Sequence, residues 1–257
     1  MLRLWPETLY ASLFPGTSWL IAGRGPSPVL KDSTGDDIGD LLVGLDTLLS
    51  ALPRKARGRM RLHLTVSDSV GTMAMLPWQE KLSGQVELDA YARAYLERDA
   101  CHIDESWVTY TCFRKFRSGG LAYALPRLWM GELIAVCEKF QVRLETVLPV
   151  SAAAYWRTEF GRGSAQRLLV LIEPHRLSAL VYDVGRLMLV DVQPITHDFN
   201  IAGTRLLLRI FARYQAIGEV RYWSACDMGT SLSPQFIRAC LPNAVVSQLS
   251  QNEWNRR

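Results

Sequence analysis

The chain has no hydrophobic stretch long enough to cross a lipid bilayer, and it has few cysteines for metal or disulfide chemistry. A membrane-spanning helix needs about 20 consecutive apolar residues, and no segment of the sequence approaches that length. The five cysteines are odd in number and scattered, and no two have the spacing of a zinc site. Pro6 and Glu7 interrupt any apolar run at the start, which argues against a signal peptide. We therefore predict a protein of the reducing cytoplasm with no metal site.

The composition is that of an ordinary globular protein. Hydrophobic residues make up 49% and charged residues 21% of 257 positions, so the chain is neither disordered nor membrane-spanning. The net charge of +4 is too small to indicate nucleic acid or lipid as a partner by itself. The length permits one large domain or two closely associated lobes.

The motifs that would require an enzyme are also missing. Gly23-Arg24-Gly25 is followed by proline residues and does not begin a helix, so it is not a typical phosphate-binding loop. Ser164 follows one glycine but lacks the second glycine of a hydrolase elbow. Glu173, His175 and Asp198 are the one acid–base group that could gather at an edge, although a glutamate and a histidine beside a turn more often serve the turn itself.

The first half of the chain alternates predicted strands and helices. A hairpin is predicted from Leu9–Leu13 and Ser18–Ala22 around Pro15-Gly16, which is a strong turn signal. A loop is predicted over Gly23–Gly35 and a helix over Asp36–Leu52, where apolar residues recur at helical spacing. Further strands are predicted at 62–66, 72–76, 107–113, 121–125 and 142–147, and further helices at 86–96, 126–140 and 151–158.

The second half predicts an α/β lobe built on one sheet. Three strands fold back on one another over Leu168–Ile172, Leu177–Tyr182 and Leu187–Val192, and helices then alternate with strands. The next helix is predicted over Ile201–Ile217, with Gly218 ending it. A strand at 220–224, a helix at 234–241 and a last strand at 244–249 follow.

Two features are candidate partner-binding elements. The basic loop contains Arg54, Lys55, Arg57 and Arg59; it could contact nucleic acid, anionic lipid or an acidic protein, and a solvated connection is the more common role of such a loop. The loop contains no aromatic residues on which RNA bases could stack. Trp78 follows the Leu-Pro that ends a strand, and we expect it to be the most exposed tryptophan and to anchor a partner.

The order of elements resembles the actin-like cytoplasmic proteins of type IV pilus and type II secretion machines, such as PilM and the cytoplasmic domain of GspL. The matching features are strands that end at Ala74-Met75-Leu76-Pro77-Trp78, a helix rich in Tyr, Ala and Glu at 88–97, and a strand pair at 107–113 and 121–125. The resemblance implies an actin-like (ribonuclease H-like) two-lobed α/β fold with mixed sheets flanked by helices. It divides the chain into a first lobe at 1–163, with an inserted subdomain at about 84–125, and a second lobe at 164–257.

The same resemblance implies that nucleotide binding is lost. Nucleotide-binding members carry an Asp and small hydroxyl residues at the first hairpin, and here the turn is Phe14-Pro15-Gly16-Thr17, with no carboxylate expected beside it. Their second hairpin carries Asp-x-Gly, and here Glu173-Pro174-His175 replaces it. The adenosine-contacting stretch retains a single glycine within Ala225–Ser231. We therefore expect no catalytic residue, no cofactor and no enzymatic activity.

The function that the resemblance implies is a scaffold for assembly of a pilus or secretion platform at the inner membrane. The expected partners are the short cytoplasmic segments of inner-membrane proteins, and an assembly ATPase is a further candidate partner. The chain would lie in the cytoplasm, peripheral to the membrane through those partners. Two alternatives remain open: a divergent actin-like ATP-binding enzyme, and a nucleic-acid-binding protein that uses the basic loop.

Overall fold

The computed structural model describes residues 7–22, 30–32, 35–52, 60–82, 84–98, 102–157, 166–225 and 234–249. These residues form two compact units. Unit 1 comprises 1–72, 103–108 and 124–153, and unit 2 comprises 73–102, 109–123 and 154–257. The predicted boundary between lobes at residues 163 and 164 lies outside the described residues.

Unit 1 contains a five-stranded mixed sheet with the strand order β3-β2-β1-β4-β8. β1 and β2 form the predicted antiparallel hairpin, in which Leu9 pairs with Ala22 and Phe14 with Thr17. β4 is parallel to β1, and β8 is parallel to β4. The strands are β1 (Glu7–Phe14), β2 (Thr17–Ala22), β3 (Leu30–Asp32), β4 (Met60–Val66) and β8 (Arg143–Pro149).

Two helices of unit 1 contact each other and the strands of this sheet. In α1 (Ile38–Ser50) the buried leucines recur at helical spacing, and Asp37 and Asp40 form a capping box at its start. α3 (Arg127–Lys139) buries Trp129, Leu133 and Cys137, in agreement with the predicted stripe. Pro126 precedes α3, a position at which its missing amide hydrogen costs nothing.

A separate three-stranded sheet has the order β5-β7-β6. β7 (Gly120–Pro126) is buried along nearly its whole length, whereas most of β6 (Trp107–Cys112) is half-buried. The difference follows from position, because β7 is central and β6 is an edge strand. The other elements of this region are β5 (Thr72–Leu76) and α2 (Gln85–Arg98).

Unit 2 contains a second five-stranded sheet with the order β11-β10-β9-β12-β13. Its first three strands are antiparallel neighbours, β12 is parallel to β9 and β13 is parallel to β12. This sheet therefore repeats the strand order and the directions of the sheet in unit 1. The strands are β9 (Gln166–Glu173), β10 (Arg176–Asp183), β11 (Arg186–Pro194), β12 (Ile217–Ser224) and β13 (Val245–Gln248).

The core of unit 2 lies between this sheet and two helices. α5 (Phe199–Arg213) contributes Ala202, Leu206, Leu207 and Ile210 to the core cluster, and α6 (Pro234–Cys240) contributes Ile237. The strands contribute alternate residues to this cluster, as expected for side chains on one face of a sheet. The remaining helix is α4 (Val150–Arg157).

Two sequence predictions of element bounds are wrong. The helix predicted to continue to Ile217 ends at Arg213, and Gly218 lies inside β12 rather than after a helix. The apolar period continues past the end of the helix because Tyr214 and Ile217 both contact the core. The loop predicted over 23–35 contains the short strand β3. Its three residues are too few to show the alternating pattern of a strand in the sequence. No helix among the described residues is long and apolar enough to span a membrane.

The first turn of α4 is held by a buried carboxylate from another element. Asp68 is 3% exposed, and its Oδ1 accepts the Ser151 N–H at 3.1 Å. Its Oδ2 accepts the hydroxyl hydrogen of Ser151. The residue before α4 is Pro149, which has no side-chain acceptor for the free amide hydrogens of the helix start, so Asp68 supplies one.

Replacement of Asp68 by alanine should lower the free energy of unfolding by about 1–3 kcal/mol, because it leaves buried donors of Ser151 without an acceptor. Guanidinium denaturation of the variant and the parent chain measures this difference. Asp46→Ala is the control, because Asp46 forms an exposed ion pair with Lys139 whose loss should cost about 0–1 kcal/mol. Equal losses in the two variants would contradict the role assigned to Asp68.

Candidate functional site

The first hairpin turn has few amide hydrogens to offer a phosphate group. Pro15 has no N–H, and the N–H of Gly16 donates to the Gly35 carbonyl at 3.3 Å. Gly16 has a φ of +74°, which explains why glycine occupies this place. The carboxylate of Asp36 lies beside the turn, with Oδ1 3.8 Å from the position that a Cβ on Gly16 would take.

The sequence alone did not reveal that carboxylate. Asp36 lies far from the turn along the chain, and the start of α1 brings it there. We expected no carboxylate beside the first hairpin, and that expectation is wrong.

The second hairpin turn joins β9 to β10 through Pro174 and His175. Pro174 again lacks an amide hydrogen, and Arg176 pairs with Glu173 across the turn. The side chain of Glu173 is 2% exposed, so its carboxylate is buried rather than presented to a ligand. The third stretch, expected to contact adenosine, lies outside the described residues except for Ala225, whose N–H donates to the Ile172 carbonyl at 2.9 Å.

The predicted acid–base group serves local structure. Asp198 is the N-cap of α5, and its Oδ1 accepts the N–H groups of Asn200 at 2.7 Å and Ile201 at 3.2 Å. His175 is exposed, and its carbonyl accepts the Ile195 N–H at 2.8 Å. These contacts are typical of a helix cap and a strand connection.

The described cysteines have the properties of core residues. Cys112 and Cys137 are buried, and burial raises the pKa of each thiol to about 11. Burial also raises the pKa of the half-buried Cys240. A raised pKa keeps the thiol protonated at neutral pH, whereas a nucleophilic cysteine needs a lowered one. The described residues contain no cluster of three or more His, Cys, Asp or Glu that could hold a metal ion.

An apolar groove in unit 1 is a candidate binding site. It has a volume of about 740 Å³ and lies between the first turns of α3 and the start of β6. Leu128 is 77% exposed at this place, although it is a large apolar side chain. The lining residues are Ser106, Trp107, Pro126, Arg127, Leu128, Gly131, Glu132 and Ala135.

Arg127, the cation among the residues that line the groove, donates hydrogen bonds to backbone carbonyls beside the groove. The Arg127 N–H donates to the Ser106 carbonyl at 2.7 Å. Its guanidinium donates to the carbonyls of Glu105 at 2.9 Å and Trp107 at 3.4 Å. Arg127 therefore fixes the segment before β6 against α3, and the groove walls are built chiefly from apolar side chains.

Nothing in the sequence indicates this groove directly. Its residues come from two segments about twenty positions apart, and only folding brings them together. The available signal was Leu128, which is apolar but lies outside the stripe that α3 buries. An apolar residue on the solvent side of an amphipathic helix is a weak indication by itself.

Trp78 lies in an aromatic cluster of unit 2. Its ring meets Phe113 at 5.7 Å and Phe116 at 5.0 Å between centroids, both edge to face. Phe116 is 71% exposed, whereas Trp78 is half-buried. Trp156 is exposed to 44%, so the expectation that Trp78 is the most exposed tryptophan is wrong. The packing of two phenylalanines around the indole is the physical reason.

The basic loop residues Arg54, Lys55, Arg57 and Arg59 lie outside the described residues. The next basic position, Arg61, lies on β4 and forms an ion pair with Glu145 at 3.6 Å.

The fold is similar to that of several solved structures. A Bacteroides thetaiotaomicron protein with an actin-like ATPase fold and unknown function is 10% identical, with a TM-score of 0.61 over 94% of this chain and 91% of that one. A chain of the PilM–PilN type IV pilus biogenesis complex is 11% identical, with a TM-score of 0.68 over 97% and 89%. The cytoplasmic domain of EpsL, an inner-membrane component of the type II secretion system of Vibrio cholerae, is 12% identical, with a TM-score of 0.54 over 97% and 88%.

No protein-family model and no curated protein sequence matches the chain. The structural similarity covers nearly the whole chain and includes both five-stranded mixed sheets. It confirms the α/β architecture with mixed sheets flanked by helices that the order of elements predicted. The chain therefore has an actin-like fold, of the type found in the pilus complex and in EpsL.

Proposed function

We propose that the chain is a non-catalytic actin-like scaffold for a type IV pilus or type II secretion platform. It holds a short cytoplasmic segment of an inner-membrane partner in the groove beside α3, and it lies in the cytoplasm, peripheral to the membrane through that partner. The observation that carries the proposal is the apolar groove itself. The similar folds support it, because one belongs to a pilus biogenesis complex and one to an inner-membrane secretion component.

The shape and lining of the groove suit an extended peptide. Trp107, which lines the groove, is the first residue of the edge strand β6. An edge strand can accept a further strand through its backbone, and neighbouring pockets then select alternate side chains. Apolar side chains of the partner would fill the groove against Leu128 and Pro126, and the lining carboxylate of Glu132 would disfavour acidic ones.

The absence of catalysis is part of the same proposal. Both hairpin turns place a proline where a nucleotide-binding protein would offer amide hydrogens, and the Gly16 N–H is already used by Gly35. These observations support a protein that does not depend on ATP hydrolysis.

Trp78 and the basic loop are proposed as secondary contacts. Phe116, exposed over Trp78, offers an apolar anchor in unit 2. Arg54 and its basic neighbours in the loop would attract acidic residues of a partner, an assembly ATPase among the candidates.

Magnesium ATP should not stabilise the chain against heat. A nucleotide at about 100 times its Kd raises the free energy of unfolding by about 2.7 kcal/mol, which corresponds to roughly 5–10 °C in Tm for a protein of this size. We expect the melting curves with and without magnesium ATP to coincide in differential scanning fluorimetry, with a nucleotide-binding actin-like ATPase melted in parallel. A shift of several degrees would identify the chain as a divergent ATP-binding protein instead.

Leu128→Glu should weaken partner binding through the groove. The residue lies in the first turn of α3, where a carboxylate is compatible with the helix dipole, so the variant should fold. Val43→Glu is the matched control, because Val43 is also an exposed helical residue, at 65%. A photo-crosslinking amino acid at position 128, and at position 43 as control, identifies the partner in cells.

The expected crosslink at position 128 is to the cytoplasmic segment of a protein with a membrane-spanning helix. A synthetic peptide of that segment should then bind the parent chain and the Val43→Glu variant alike. Leu128→Glu should weaken binding at least about tenfold, since it places a charge against apolar side chains. Crosslinks confined to proteins without any membrane segment would refute the proposed role.

A further inference from the structure

The two helices that cover the core of unit 2 carry only positive charge. α5 and α6 contact each other and share one core cluster. Their sequences contain no aspartate and no glutamate. Their four arginines are all exposed: Arg205, Arg209, Arg213 and Arg238.

One of these charges is neutralised by a carboxylate, and another, that of Arg213, lies over the Tyr214 ring at 5.6 Å from its centroid. Arg209 is held by β11, through bonds of 3.0 and 2.9 Å to the carboxylate of Asp191 and one of 2.6 Å to Gln193. Within the part of the chain that the structure describes, Arg205 and Arg238 form no ion pair. The Asp198 carboxylate, at the start of α5, is used to cap the helix.

The outer side of α5 also presents aliphatic side chains. Ile201 is 52% and Leu208 is 54% exposed. Together with Arg205 they follow the four- and three-residue spacing that places side chains on one helix face. The inner side of α5 already buries its own apolar set in the core. The core therefore does not explain why the outer side is apolar as well as basic.

We infer that the α5–α6 surface, defined by Ile201, Arg205 and Leu208 on the outer face of α5 and by Arg238 on the adjoining α6, binds an anionic lipid surface. Arginines beside exposed aliphatic residues match such a surface, because phosphate groups meet the guanidinium groups while the aliphatic side chains enter the boundary with the acyl chains. This contact is separate from the peptide groove of unit 1, and it attaches the chain to the bilayer directly, in addition to the attachment through the partner.

Two other occupants fit the surface less well. A second copy bound by two-fold symmetry would bring the same arginines against each other, which is unfavourable. A nucleic acid would attract the arginines through its phosphates, but it gains nothing from covering Ile201 and Leu208. The combination of charge and aliphatic exposure therefore favours lipid.

The first test is co-sedimentation of the full chain with vesicles. We expect binding to vesicles of phosphatidylcholine that contain phosphatidylglycerol and little binding to pure phosphatidylcholine. The bound fraction should fall as sodium chloride rises from about 0.1 M to about 1 M, because the Debye length shrinks from about 10 Å to about 3 Å. Equal binding to both kinds of vesicle, or binding to neither, would overturn the inference.

Arginine substitutions test whether the α5–α6 surface makes the contact with the vesicle. Each arginine near the surface should contribute about fivefold to partitioning, so Arg205→Glu with Arg238→Glu should weaken binding at least about 25-fold. The control is Arg98→Glu with Arg143→Glu, which changes the net charge equally; Arg98 is exposed on α2 and the Arg143 side chain is 74% exposed on β8. A loss in the control as large as in the test pair would show a non-specific effect of net charge and would overturn the assignment.

A further variant distinguishes lipid from nucleic acid and from self-association. Leu208→Ser leaves the charge unchanged and should weaken vesicle binding several-fold, whereas Val43→Ser should not. If Leu208→Ser has no effect while duplex DNA competes with the vesicles, the surface binds nucleic acid and the inference fails. Self-association that Arg205→Glu abolishes, measured by analytical ultracentrifugation, would equally refute it.

Vesicle binding is expected to be independent of the proposed peptide site. Leu128→Glu should retain full vesicle binding, and Arg205→Glu with Arg238→Glu should retain peptide binding in solution. The two functions can therefore fail separately.

Discussion

The structure depends on two central strands, β1 and β9. Each forms backbone hydrogen bonds with a neighbouring strand along both of its edges. Each pairs with an antiparallel neighbour, through a hairpin, and with a parallel strand. A hairpin needs only a tight turn, whereas a parallel pair needs a longer crossover. Proline at each turn, Pro15 and Pro174, suits a tight connection and removes an amide hydrogen there. The residues that close the two hairpins thus also remove donors that a phosphate would need.

Much of this framework could be predicted from the sequence, because buried strands and helices have simple patterns of apolar residues. The run from Leu168 to Ile172 is buried on both faces of the sheet, and such a run predicts a central strand. The predicted start of α5 at Ile201 lies after the observed start at Phe199, which Asp198 caps. The predicted end is also late, because Tyr214 and Ile217 keep the apolar period after the helix has ended. Periodicity reports which residues face the core and does not report which backbone conformation brings them there.

The candidate site was less predictable, because it depends on contacts between distant segments. The two sides of the groove, at Trp107 and Leu128, belong to a strand and a helix that adjoin only after folding. The position of Asp36 beside the first turn has the same origin. For Trp78 the sequence suggested too much exposure rather than too little. Its place after a Leu-Pro indicated an exposed ring, but Phe116 packs against that ring. The two hairpin turns are local and could be predicted from the sequence, whereas the groove could not.

A scaffold that does not change conformation with bound nucleotide must obtain its specificity for partners in another way, and its location in the cell can supply part of it. Peptides bound in a shallow apolar groove are generally held with modest affinity, since ordering the peptide opposes the burial of its side chains. A chain retained at an anionic lipid surface by arginines and aliphatic residues meets cytoplasmic segments of membrane proteins at a local concentration set by that surface. Weak recognition in the groove is then sufficient, because a second attachment raises effective affinity without any new contact. In the arrangement that we propose, the bilayer supplies the localisation and the groove supplies the choice of partner.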